Sequence, residues 1–111
     1  MNPVVMQIDT RGYTGLRGSK VMAWVKDRVK VKEVTVSIIT ADSVLVEQGA
    51  ARLLVGKPYD WIYKTKQVNN ELKGCKVIVV AKNLPGNEGM KEGVIEIGNK
   101  QQKKRVKATI R

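Results

Sequence analysis

The sequence feature that most constrains the fold is a run of mostly β-branched residues that ends in a turn. Residues 74–82 read Gly-Cys-Lys-Val-Ile-Val-Val-Ala-Lys, and residues 83–87 read Asn-Leu-Pro-Gly-Asn. β-branched side chains suit a pleated and well-covered surface, whereas Pro and Gly favour turns. The run therefore predicts a central β-strand that buries Val77, Val79 and Ala81 and points Ile78 and Val80 outward.

The same period of two recurs along most of the chain, and no segment sustains the 3.6-residue period of a helix. Turn residues separate the alternating segments at intervals of about 8 to 12 residues, which favours a sandwich of seven to eight antiparallel strands over parallel βαβ units. The expected strands cover residues 3–9, 20–26, 29–40, 44–47, 50–55, 59–65, 74–82 and 91–98.

Four local features refine this prediction. The alternation slips at Lys32-Glu33, as it does where a β-bulge adds one residue to a strand. Gln48-Gly49 reads as a turn between two short strands. Because the chain has no Phe, Trp61 and Tyr63 are the largest apolar groups available, and we expect them in the core. On the last strand, the residues expected in the core are Ile95 and Ile97.

The residue types that catalyse most reactions are scarce. Histidine is absent and Cys75 is the single cysteine, which excludes Ser-His-Asp and Cys-His sites, an internal disulfide and a Cys-only metal site. Cys75 is interpreted as a small buried residue. Glu33 and Glu47 would support acid–base chemistry only beside another acid, and each is interpreted as a solvated strand residue. We predict no enzyme activity, no cofactor, no metal and no small-molecule substrate.

The length of 111 residues suits one domain. No window reaches the roughly 18 apolar residues of a membrane span, so no span is predicted. The first residues lack the basic start and apolar run of a signal peptide. Met1, taken as a native start, would indicate synthesis without export, and the compartment is left undetermined.

The chain carries a net charge of +11, which favours acidic partners. Six of the positive charges fall within the last twelve residues, where there is no acid. We therefore divide the chain into a sandwich at residues 1–99 and a basic C-terminal tail at residues 100–111. The candidate anion-binding residues in the tail are Lys100, Lys103, Lys104, Arg105, Lys107 and Arg111.

The chain resembles the bacterial immunoglobulin-like domains over roughly residues 3–98. The resemblance rests on residues 61–65 (Trp-Ile-Tyr-Lys-Thr), on Leu72 and Gly74, on residues 81–87 (Ala-Lys-Asn-Leu-Pro-Gly-Asn), and on the strand, acidic turn and strand of residues 21–38. It implies an immunoglobulin-like Greek-key β-sandwich that serves as a spacer or binding module in surface proteins, adhesins, enzyme accessory regions or phage virions, usually without chemistry. A cell-surface or virion location is implied by the resemblance alone.

Two departures from the family bear on calcium. Asn83 stands where the family commonly has Asp, and Arg28 stands where it commonly has Asn. Both changes remove oxygen ligands or negative charge from loops, and the acids of this chain show no Asp-x-Asp spacing. The sequence therefore does not favour a calcium site.

Two functions remain open. Ile78 and Val80 are outward and apolar where an isolated sandwich would have polar residues, so either Val106, Ala108 and Ile110 of the tail or another protein copy covers them. Outward Met22 and Trp24 are either covered by a loop or form a contact patch. We predict a structural or protein-binding module that self-associates or binds a protein partner.

The alternative is a basic module that binds nucleic acid or an anionic glycan. It would use the tail and a basic sheet face, for which the candidates are Lys30, Lys32, Lys64, Lys66, Lys76 and Lys82. A non-binding interpretation is that these lysines only keep the sandwich soluble and block edge pairing.

Overall fold

The computed structural model describes residues 2–27 and 30–95, which form eight β-strands and no helix. The strands are β1 (Val4–Asp9), β2 (Lys20–Lys26), β3 (Val31–Ile39), β4 (Leu45–Ala50), β5 (Arg52–Leu53), β6 (Asp60–Lys64), β7 (Lys76–Asn83) and β8 (Glu88–Val94). A first sheet has the strand order β1-β2-β6-β5 and a second sheet has the order β4-β3-β7-β8, with every pair antiparallel. This confirms the predicted all-β sandwich. In these residues, no helix is available to cross a membrane.

The core lies between the two sheets and follows the predicted alternation. Val77, Val79 and Ala81 of β7 are fully buried, and they share one core cluster with Trp61 and Tyr63 of β6. Cys75, just before β7, is also fully buried. The buried positions along each strand were predictable because alternate residues of a strand point to opposite faces in any fold.

The predicted bulge at Lys32-Glu33 is confirmed. Val31 pairs with Asn83 and Glu33 pairs with Lys82, so Lys32 is the extra residue on β3. From Glu33 onward the strand is in regular register with β7, and Val34, Val36 and Ile38 are buried. The bulge therefore explains why the apolar positions change phase within this strand.

The predicted turn at Gln48-Gly49 is wrong. β4 runs straight through both residues, and Gly49 pairs with Val36. A Cβ atom at Gly49 would lie 2.8 Å from Cε1 of Tyr63, so the glycine permits a close approach of the tyrosine ring. The chain then passes at Ala51 from the second sheet to the first, which limits the next strand to Arg52–Leu53.

The last described strand begins earlier than predicted. β8 starts at Glu88, directly after the Pro85-Gly86 turn, because its residues pair with β7 as soon as the chain has reversed direction. Ile95 is buried, as predicted. Ile97 and the tail at residues 100–111 lie outside the described residues.

Candidate binding faces

The outer surface of the first sheet carries most of its exposed cations. Val21, Ala23 and Val25 of β2 are buried, so the alternate residues of that strand point outward. Residues paired across two antiparallel strands share a face, which extends this surface to β6 and β5. We call it the basic face, and its residues are Lys20, Met22, Trp24, Lys26, Arg52, Ile62 and Lys64.

Two lysines of the basic face oppose each other directly. Lys20 of β2 pairs with Lys64 of β6, and Arg52 of β5 pairs with Ile62 next to them. Like charges in directly opposed positions destabilise a sheet. Within residues 2–27 and 30–95, the recorded ion pairs join Arg11 to Asp9 and Lys76 to Glu92, and neither involves this lysine pair.

An apolar centre adjoins these cations. Met22 pairs with Ile62, while Trp24 lies between Gln7 of β1 and Asp60 of β6. Met22 and Trp24 are each half-buried, and Ile62 is buried although it points away from the core. The neighbouring strands thus cover part of the patch, and part of the Trp24 side chain remains accessible.

Two acids adjoin the basic face. Asp60 pairs with Trp24, and Asp9 pairs with Met22. The Arg11 side chain donates two hydrogen bonds to the Asp9 carboxylate, at 3.0 and 2.8 Å. These bonds lower the pKa of Asp9 to about 2. The Asp9 charge is therefore already matched by a neighbouring guanidinium.

The outer surface of the second sheet carries apolar side chains among polar ones, since Ser37 and Glu92 flank Ile78 and Thr35 flanks Val80. Ile78 and Val80 point outward and are half-buried, as predicted. Around them, Met90 is 69% exposed, Val94 57% and Leu45 53%. We call this surface the apolar face, and its residues are Ile39, Leu45, Ile78, Val80, Met90 and Val94.

The charges around the apolar face are matched across strands. Lys82 of β7 lies between Glu33 of β3 and Glu88 of β8, each in direct register with it. Lys76 lies 3.8 Å from the Glu92 carboxylate. Opposite charges in such positions stabilise a sheet, so these lysines are partly neutralised within their own sheet.

The predicted contact residues divide between the two faces. Met22 and Trp24 lie on the basic face, whereas Ile78 and Val80 lie on the apolar face. The lysines predicted to form one basic surface also divide, because Lys64 belongs to the first sheet while Lys76 and Lys82 belong to the second. That prediction of a single basic sheet face is wrong. The six tail cations, Lys100, Lys103, Lys104, Arg105, Lys107 and Arg111, lie outside the described residues.

Several residues of these faces were missed in the sequence. Met90 was missed because the strand that carries it was expected to begin at Lys91. Val94 lies within the predicted strand, but only the inward Ile95 and Ile97 were singled out there. Their spacing of four residues places Met90 and Val94 on the same side of a strand, but the charged Glu92 between them hides this alternation. Arg52 and Ile62 were missed because membership of the basic face depends on pairing between strands that are distant in sequence.

Glu47 was interpreted as a solvated residue, and this is wrong. Its side chain is buried between the sheets and accepts a 2.6 Å hydrogen bond from the Tyr63 hydroxyl. The backbone N–H groups of Lys66 and Gln67 donate to the same carboxylate at 2.8 and 3.2 Å. Burial, together with the hydrogen bond to Glu47, raises the pKa of Tyr63. These bonds give the carboxylate a structural role that links the two sheets.

Asn83 also has a structural role. Its side-chain oxygen accepts a 2.9 Å hydrogen bond from the Asn87 N–H, and its Nδ2 donates at 2.9 Å to Asp27. The fully buried amide therefore fixes the turn between β7 and β8. In the described part of the chain, no three side chains of the metal-binding types His, Cys, Asp and Glu lie close enough together to hold an ion.

Comparison of the chain with protein-family models, with curated proteins and with solved structures found no match.

Proposed function

We propose that the chain is an immunoglobulin-like module with a non-catalytic, structural or protein-binding role in a larger assembly. The strand order supports the immunoglobulin-like part of this proposal. In the immunoglobulin fold, the first, second, fifth and fourth strands form one sheet. In the other sheet the third strand pairs with the sixth, which pairs with the seventh. The order β1-β2-β6-β5 opposite β4-β3-β7-β8 fits that scheme with one added strand, β4.

The single observation that carries the binding role is the apolar face. Each of its four strands contributes at least one apolar side chain, with Met90 opposite Val80 and Leu45 opposite Ile39. Polar residues lie among them, since Glu92 is opposite Ile78 and Lys76 separates Ile39 from Val94. Scattered surface hydrophobic residues are ordinary, but Leu45, Met90 and Val94 are each more than half exposed on this one face. An antiparallel sheet with one solvated face normally alternates apolar and polar residues along each strand. β7 departs from this rule because Ile78 and Val80 are as apolar as the residues that it buries.

We further propose that the partner is a second copy of the same chain. In a two-fold contact the same surface meets itself, so it must carry both signs of charge where charges are present. The apolar face meets this condition, since Glu33, Lys82 and Glu88 lie in one row beside it. Stacking two such faces would bury Met90 and Val94, the two most exposed apolar residues of β8. A surface or virion assembly, as the resemblance implies, would use such contacts repeatedly.

The test is the molar mass in solution as a function of concentration, measured by light scattering. The unmodified chain should approach the mass of a dimer as concentration rises. Ile78→Lys or Val80→Lys should raise the dissociation constant at least about tenfold, because each places a charge in the centre of an apolar contact.

Val55→Lys is the matched control. Val55 is fully exposed in the turn before β6 and lies on neither face. This variant should associate like the unmodified chain. A monomer at all concentrations would contradict self-association, and equal effects of Ile78→Lys and Val55→Lys would contradict the role of the apolar face.

A further inference from the structure

We propose that the basic face binds single-stranded nucleic acid, with phosphates at Lys20, Lys64 and Arg52 and a base stacked on Trp24. This site is separate from the apolar face and does not depend on self-association. It differs from the expectation drawn from the sequence, which placed anion binding on the tail and on lysines that belong to both sheets.

The first argument is the lysine pair. Lys20 and Lys64 are held in direct cross-strand register, where the two like charges repel each other. β2 and β6 are inner strands of their sheet, with β1 and β5 at the edges. Lysines that protect a sheet from edge-to-edge pairing lie at unpaired strand edges. Lys20 is not at such an edge, because its N–H donates to the Gly12 carbonyl, whereas β5 ends its pairing with β6 at Ile62 and does not reach Lys64. Edge protection therefore does not explain why Lys20 opposes Lys64. A bound phosphate would offset the repulsion.

The second argument is the aromatic residue that accompanies the cations. Lys20, Met22, Trp24 and Lys26 follow one another on the outward side of β2. At roughly 3.3 Å per residue, the cations at the two ends of this row are about 20 Å apart, with Trp24 between them. Single-strand binding surfaces combine a cationic path with an aromatic ring on which a base stacks. A sulfated glycan would use the cations but offers no base for the indole.

The third argument is the contrast with the second sheet. Lys76 and Lys82 belong to the same structural class of outward strand lysines, but each has a glutamate within reach on a neighbouring strand. Their charges are therefore partly satisfied before any ligand binds. This difference supplies a matched control, because removal of either lysine pair changes the net charge of the chain by the same amount.

The test is fluorescence anisotropy of a short, labelled oligothymidylate titrated with the full chain at several salt concentrations. The double variant Lys20→Gln with Lys64→Gln should weaken binding roughly tenfold and reduce the slope of log affinity against log salt by about 1.4. Lys76→Gln with Lys82→Gln should change the affinity by less than about twofold, because lysines distant from the bound phosphates are screened by salt.

Trp24 distinguishes base stacking from simple charge attraction. Trp24→Ala should weaken binding about tenfold without changing the salt slope, and Trp24→Tyr, which keeps a ring, should retain most of the affinity. Thermal unfolding of each variant checks that the fold persists. If the alanine variant unfolds, Trp24→Leu, which keeps apolar volume but has no ring, replaces it and should also weaken binding about tenfold.

Three outcomes would overturn the proposal. Equal losses for the two lysine pairs would show that net charge alone drives binding. Unchanged binding by both Trp24 variants, with heparin binding as tightly as the oligonucleotide, would indicate a polyanion surface without base contacts. Loss of all binding only on substitution of the basic residues at positions 100–111 would assign the site to the tail.

Discussion

The two outer faces of this sandwich use the same strand geometry but place their charges differently. On the second sheet, Lys82 lies between Glu33 and Glu88, and the next row of that face contains Val80 and Met90. On the first sheet, Lys20 lies opposite Lys64, and the apolar patch beside them is partly covered. Matched charges around exposed apolar residues suit a protein contact, whereas opposed lysines beside an indole suit an anionic ligand. This difference is the basis for our proposal that the domain has two independent binding surfaces.

The largest expected change in stability tests which residues of β7 point into the core and which point to the outer face. The comparison of the two outer faces depends on that assignment. Val79 and Val80 are neighbours on β7, but only Val79 is fully buried between the sheets. Val79→Ala should lower the free energy of unfolding by about 3 kcal/mol, since it removes buried methyl groups and leaves a cavity.

Val80→Ala is the matched control, and it should cost less than about 1 kcal/mol because the side chain points to the outer face. Denaturant titration measures both values. Equal costs would mean that β7 does not have one core face and one outer face.

An intermediate effect tests the link that holds the two sheets together. Tyr63 of the first sheet donates its hydroxyl hydrogen bond to Glu47 of the second. Tyr63→Phe should cost about 2 kcal/mol, because the lost bond is to a carboxylate that keeps its two backbone donors. Both binding activities should survive at temperatures well below the unfolding transition, since neither face includes this bond.

The same variant predicts a pH dependence with a definite sign. The pKa of Tyr63 is raised in the folded protein, so folding favours its neutral form. The stabilisation that neutral Tyr63 gives to the folded state is fully present below its unfolded pKa of about 10. It declines as the pH rises from there toward the folded pKa. The stability difference between the unmodified chain and Tyr63→Phe should therefore shrink above about pH 10. A difference that grows with pH would contradict the assignment.

The smallest expected change in stability tests charge matching, the property in which the two faces differ. Lys64→Glu should stabilise the first sheet by about 0.5 kcal/mol, because it turns the repulsive pair with Lys20 into an attractive one. Lys82→Glu should destabilise the second sheet by a similar amount, because it places three glutamates in one row.

Thermal unfolding at low salt measures both charge reversals. High salt should reduce both effects, since both are electrostatic and lie at the surface. Changes of the same sign in the two variants would show that the faces do not differ in charge matching.

Much of the fold was predictable from the sequence because alternation and turns are local properties. The burial of Val77, Trp61 and Tyr63 and the bulge at Lys32 all follow from the phase of apolar residues along single strands. The same reasoning failed at Gly49. A glycine next to a polar residue reads as a turn, but here it leaves room for the ring of Tyr63, which lies fourteen positions later in the chain.

The binding faces were only partly predictable because they depend on which strands pair. Outward positions such as Trp24 and Ile78 followed from alternation. The opposition of Lys20 and Lys64 did not, since their pairing joins strands that are separated by three others in sequence. The burial of Glu47 was missed for a similar reason, because its hydrogen-bond partners come from β6 and from the segment after it.

The most direct test of the two-face account is an amide chemical-shift map of the full chain titrated with an oligothymidylate. The account predicts that the largest shifts fall on β2 and β6 around Lys20, Trp24 and Lys64, while Ile78 and Val80 on β7 remain unchanged. Shifts spread equally over both sheets, or confined to residues 100–111, would contradict it.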